Sequence, residues 1–130
     1  MSIIQYNLQK NGSFWRVTTE NGRQIANRVR LASSFWARLR GLIGVRHLPE
    51  NEGLLLVPCN SVHMFFMLIP LDIVFLDENG EVVALLPNLK PWRISGLYPQ
   101  AQAVLELPAG TCVRTGLCKH EKLVFSQIDP

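Results

Sequence analysis

The chain has 130 residues, 48% of them hydrophobic and 18% charged, with a net charge of +3. That balance is too apolar for a disordered tail and too polar for a membrane-embedded chain, and the length suits one domain, residues 1–130, with its own core. The longest apolar stretch, Val62 to Ile69, is broken by His63 and closed by Pro70, well short of the roughly twenty residues a membrane-spanning helix needs.

In chain order, Phe14 to Thr19 carries the aromatic and β-branched residues of a strand, Asn21-Gly22 supplies a tight turn, and a partner strand resumes from Gln24 to Leu31. Ser33 and Ser34 can cap a short helix in which Phe35, Trp36, Leu39, Leu42 and Ile43 share one apolar side, with Arg38 and Arg40 off it and Gly41 and Gly44 at its end. Arg23, Arg28 and Arg30 join those two arginines in a basic stretch that reads as solvated surface; without a recognition helix or stacking motif no nucleic-acid partner is expected.

From Gly53 the pattern is β. Leu54 to Val57, Ser61 to Met67, and Leu71 to Leu76 paired with Val82 to Leu86 across Asp77–Gly80 read as strands. Pro87 to Pro99 reads as a long ordered loop, followed by a strand from Gln102 to Leu107 and a turn at Pro108–Gly110. Thr111 to Thr115 and Lys122 to Phe125 are expected to be closing strands. The fold class expected is mainly β (α+β), a small barrel-like or strongly curved antiparallel or mixed sheet with one short helix.

Three cysteines, Cys59, Cys112 and Cys118, give an odd count that argues against a disulfide framework and suits a reducing compartment. The N-terminus lacks a basic leader ahead of an apolar core, so the cytoplasm is the expected location.

Several landmarks occur in one order: Arg38-Leu-Arg-Gly-Leu-Ile-Gly44, Gly53-Leu-Leu-Leu56, Cys59-Asn-Ser-Val-His-Met64, Pro70-Leu-Asp-Ile-Val-Phe-Leu-Asp77, Pro91-Trp-Arg93 and Ala103-Val-Leu-Glu-Leu-Pro-Ala-Gly110. Together they resemble the prokaryotic domain of unknown function 192 family over residues 23 to 126. The resemblance implies a mainly β fold with a short helix and carries no catalytic residue or cofactor. One departure stands out: His120-Glu121 replaces the Gly-Asp pair usual in the turn before the last strand.

The residues capable of chemistry are few. Asp72 interrupts an apolar strand, where a carboxylate needs hydrogen bonds or an ion pair. It caps backbone N–H groups, pairs with an arginine, or anchors a ligand with His63 and Arg93. Cys59 and His63 share a strand face but would stand about 13 Å apart in regular β-structure. Only a bend, or pairing with neighbouring strands, would make them a nucleophile–base pair or two metal ligands. Glu106 shares a face with Val104, and if enclosed it could pair with Asp72 for acid–base work. Trp92 and Arg93 offer a stacking surface and an anion grip on a loop, although Trp92 reads rather more readily as a barrel plug. Met64, Phe65, Phe66 and Met67 read as core. His47 and His120 need no functional explanation.

The leading expectation is a non-catalytic binding or accessory module for a small polar or anionic ligand. Its candidate site is His63, Asp72, Trp92 and Arg93, with Cys59 and Glu106 as secondary candidates and no cofactor or metal. The alternatives are a hydrolase using Cys59/His63 or Asp72/Glu106, and a structural or protein-interaction module.

Overall fold

Alternating apolar and polar residues make Phe14–Thr19 (β1) a strand that buries Trp15, Val17 and Thr19 on one face and pairs with Gln24–Ala32 (β2) across a turn at Gly22, whose φ is +89°. The structure, a computed structural model, describes residues 11–128, and the expectation drawn from the N-terminal stretch lies outside the described residues. A short helix follows at Phe35–Arg40 (α1), capped by the Ser34 hydroxyl, which accepts from the Ala37 N–H. Next come Glu52–Leu56 (β3), Leu71–Leu76 (β4), Val82–Leu89 (β5), Ala103–Pro108 (β6), the helix Thr111–Thr115 (α2) and Leu123–Ile128 (β7).

The seven strands form one sheet in the order β5-β4-β6-β3-β2-β1-β7, with β2 and β3 parallel and the other neighbours antiparallel. The sheet is strongly curved without closing, and an isolated bridge from Glu81 to Lys122 ties its two ends together. Strands β4 and β6 are buried on both faces, as their nearly unbroken apolar sequence requires. One face packs Trp15, Leu31, Leu55, Leu76, Leu105 and Leu107. The other packs Leu54, Leu56, Met64, Leu71, Ile73 and Phe75. The fold class matches the sequence-based expectation, and no helix among the described residues is long and apolar enough to cross a membrane.

Four local expectations are corrected. Thr111–Thr115 is helical, bracketed by Gly110 and Gly116 in left-handed conformation, and its first turn is held by a carboxylate from another strand; tertiary context overrides the β-propensity of its threonines and valine. Ser61–Met67 is an irregular segment whose single bridge joins His63 to Ile94 and whose Phe66 has φ +64°. Its backbone zips onto the 90–101 loop instead of the sheet: Met64 N–H donates to Arg93 O at 2.7 Å and Trp92 N–H to Met64 O at 2.8 Å. Strand β5 runs on through Pro87, permitted because β5 is an edge strand whose outer side meets the 120–122 segment only at its start, around Val82, among the described residues.

The fourth correction concerns aromatics read as core or plug, which lie on the surface as the apolar side of α1 does. Phe35, Trp36 and Leu39 are 62%, 74% and 50% exposed, while only Leu42, just past the helix, is buried. Phe65, Phe66 and Trp92 likewise lie on the surface, so Trp92 plugs no barrel. All three thiols are free. Where the resemblance anticipates glycine, His120 takes a φ of +78°, and the neighbouring Glu121 binds Arg23 at 2.6 Å.

Candidate functional site

Two buried carboxyl groups occur in the sheet, and they lie on opposite faces. Asp72 pairs in register with Leu107, whereas Glu106 pairs with Ile73 and Leu54. Because successive side chains alternate, Asp72 points with Leu105 and Leu107 and Glu106 with Val104 and Leu54. The sheet therefore separates the two groups that acid–base work would need side by side.

Asp72 is wholly buried and fully occupied. Its Oδ1 accepts from the Asn88 N–H and its Oδ2 from the Cys112 N–H, both at 2.8 Å. The first donor is freed by a β-bulge, since three steps along β5 from Leu86 to Leu89 oppose two along β4. The second belongs to the first turn of α2, whose own N-cap, Gly110, has no side chain to offer. Burial first, and the Asp72 carboxylate second, push the Cys112 thiol up to about 12.

Glu106 has no such partners. It is 6% exposed, and its Oε1 is buried without a hydrogen-bond partner among the described residues. Burial raises this carboxyl to about 7. The group lies at a small pocket of about 70 Å³ between the end of α1 and the 59–67 segment. Leu42, Leu56, Val62 and Met67 give it apolar walls, and Arg38, Cys59 and His63 border it. Gly41 lies beside Glu106: a Cβ there would stand 3.7 Å from Oε1, in ordinary van der Waals contact, and its φ of +50° is one that glycine tolerates best. On the backbone side, Gly53 lets β3 approach β6, for a Cβ would meet Glu106 O at 2.7 Å and Leu107 Cδ2 at 2.9 Å.

The sequence-derived candidates thus divide. His63, Cys59 and Glu106 border one pocket, and the irregular 59–67 segment supplies the bend that a regular strand lacks. The Cys59 thiol nevertheless donates to Ser61 O at 3.1 Å, while His63 Nδ1 accepts from the Phe65 N–H at 3.3 Å. Burial raises the Cys59 pKa above its ordinary value, so neither group is poised as a nucleophile–base pair. Trp92 and Arg93 are exposed on the adjoining loop; Trp92 contacts Phe66 at 4.9 Å and Phe65 at 6.0 Å, and Phe65 stacks on His63 at 4.9 Å. Asp72 is remote in orientation from all of them. No group of three metal-ligating side chains converges among the described residues.

Sequence reasoning did not place Arg38 or Gly41 in a site. Arg38 NH1 reaches Ser33 O and Val57 O at 3.5 and 3.4 Å and borders the pocket. The Arg38–Gly44 run carried the signal, in a glycine closing a six-residue helix that has no buried residue.

A curved mixed sheet with a buried carboxyl at a surface pocket defines a class of small α+β proteins rather than an activity. Residues 16–125 match the DUF192 family, described as Uncharacterized ACR, and the chain belongs to it. A UPF0127 protein from Thermococcus sibiricus is 35% identical over 102 residues, covering 72% of this chain and 63% of that protein; the chain thus spans somewhat under two thirds of that relative's length. Among solved structures, a protein of unknown function from Novosphingobium aromaticivorans has a TM-score of 0.74 at 26% identity, covering 85% of this chain and 82% of its own. A Sinorhizobium meliloti protein, provisionally described as a transcription regulator, reaches a TM-score of 0.77 at 25% identity, covering 90% and 97% respectively.

Proposed function

We propose that this protein is a non-catalytic binding module whose ligand site is the pocket bordered by Glu106, Arg38, Cys59 and His63. One observation carries the reading: Glu106 Oε1 is a buried acceptor without a donor among the described residues, in a fold that gives each oxygen of its other buried carboxylate a backbone donor. Leaving such a group unpaired costs about 1–3 kcal/mol, and a ligand donor would recover it. An unpaired carboxyl oxygen also disfavours an anion, which narrows the expected ligand to a small polar one. Three free thiols suit a reducing compartment, and we place the protein in the cytoplasm.

The test is NMR of ¹⁵N-labelled protein with small polar fragments added singly at millimolar concentration. Amides of Gly41, Leu42, Cys59, Val62 and Met67 should shift together with at least one fragment, and Glu106→Leu should abolish the response. Silence at these positions, or equal shifts in the variant, would remove the pocket from consideration.

A second reading, a protein-interaction module, draws on the exposed apolar residues Trp36, Leu39, Phe66, Trp92, Ile94 and Leu97. Light scattering that shows a self-association abolished by Trp92→Ser would favour it over the pocket.

A further inference from the structure

The chemistry of the pocket narrows its ligand beyond "small and polar". Walls of Leu42, Leu56, Val62 and Met67 reward a ligand without net charge. The other titratable or charged residues bordering Glu106's pocket are Arg38, Arg40, Cys59 and His63. Both arginines carry positive charge, which opposes entry of a cation. Arg38 is turned to backbone carbonyls of Ser33 and Val57. It offers no ion pair to Glu106, whose Oε1 has no partner among the described residues.

Within this setting the carboxyl has two complementary edges. Its unpartnered Oε1 can accept, and when protonated its hydroxyl can donate. A group that presents an N–H beside a C=O on one edge satisfies both at once and brings no charge into the apolar walls. An ammonium lacks the acceptor, and a carboxylate at neutral pH lacks the donor. Gly41, with no side chain to stand against Oε1, leaves space beside the carboxyl.

We infer that the pocket takes an uncharged amide edge, a carboxamide or lactam, paired edge to edge with the Glu106 carboxyl; the inference rests on the ligand site proposed above. Burial, which raises this carboxyl to about 7, keeps the donor-bearing form present at neutral pH. The amide belongs to a free small molecule or to an asparagine or glutamine side chain of a peptide.

Titration calorimetry and ¹⁵N NMR with propionamide, n-propylammonium and propionate separate the classes. Propionamide should bind at the pocket amides and the two charged analogues should not. Its affinity should fall about tenfold per pH unit above pH 7, as the free protein loses the proton that the complex retains. Glu106→Gln, which keeps a donor beside an acceptor, should retain propionamide binding without the pH dependence, whereas Glu106→Leu should lose it. Nα-acetyl-glutamine methylamide, compared with propionamide, separates the two sources by which binds more tightly. Preferential binding of the ammonium or the carboxylate, or loss of propionamide binding in a folded Glu106→Gln protein, overturns the amide inference and leaves the site standing. Silence from every probe at the pocket overturns both.

Discussion

The two faces of the sheet treat a buried carboxyl in opposite ways. On one, Asp72 receives two backbone N–H groups, from the β5 bulge and from the start of α2. On the other, Glu106 is almost as deeply enclosed and receives none at Oε1 among the described residues. The difference teaches that burial by itself does not mark a site. A buried charge whose partners come from the fold is a structural joint, and one whose partners are missing is an unfinished interaction that a ligand can complete.

The largest expected effect is at Asp72. Asp72→Ala leaves two buried N–H groups without acceptors and should cost about 4 kcal/mol, at 1–3 kcal/mol each. Urea unfolding would measure it, and a loss below about 1 kcal/mol would erase the contrast between the faces.

Glu106 should make stability depend on pH. Its folded pKa, about 7, exceeds its ordinary value of 4.5, so between those values the folded state holds more protons than the unfolded state. Stability attributable to this group is therefore highest below about pH 4.5 and declines as pH rises through 7, by about 3 kcal/mol in total. Subtracting the Glu106→Gln profile from that of the parent isolates this slope from other groups. A flat difference between pH 5 and 8 would mean that Glu106 is better solvated than its enclosure implies.

Gly53→Ala tests the seam between the faces. Its Cβ would press on the Glu106 carbonyl oxygen and on Leu107, forcing β3 from β6, at a cost of about 2 kcal/mol. Thermal unfolding of Gly53→Ala indistinguishable from the parent would show that the strands yield without penalty.

Much of this arrangement was legible in the sequence. Alternation assigned Glu106 and Val104 to one face, and the polar break at Asp72 announced a carboxylate needing partners. The partners themselves were not legible: Asn88 and Cys112 lie 16 and 40 residues away and meet Asp72 only through a bulge and a helix start. The same carboxylate helps explain why Thr111–Thr115 winds into α2 despite its β-forming residues. In Ser61–Met67, apolar character reported burial of Met64 and Met67 but not backbone form, which is set by hydrogen bonds to the 90–101 loop. Helical spacing in α1 located an apolar side without saying whether anything covers it.

The strand order bears on how the chain emerges during synthesis. Strands β1, β2 and β3 are hydrogen-bonded neighbours, as are β4 and β5, but β3 and β4 are joined only through β6. Until residues 103–108 leave the ribosome, a nascent chain carries two half-sheets with open, apolar edges facing one another across a gap one strand wide. Such edges pair indiscriminately with other chains. A stall or truncation ahead of β6 would therefore yield a product prone to aggregation, and the arrival of a single six-residue segment converts it into a continuous sheet.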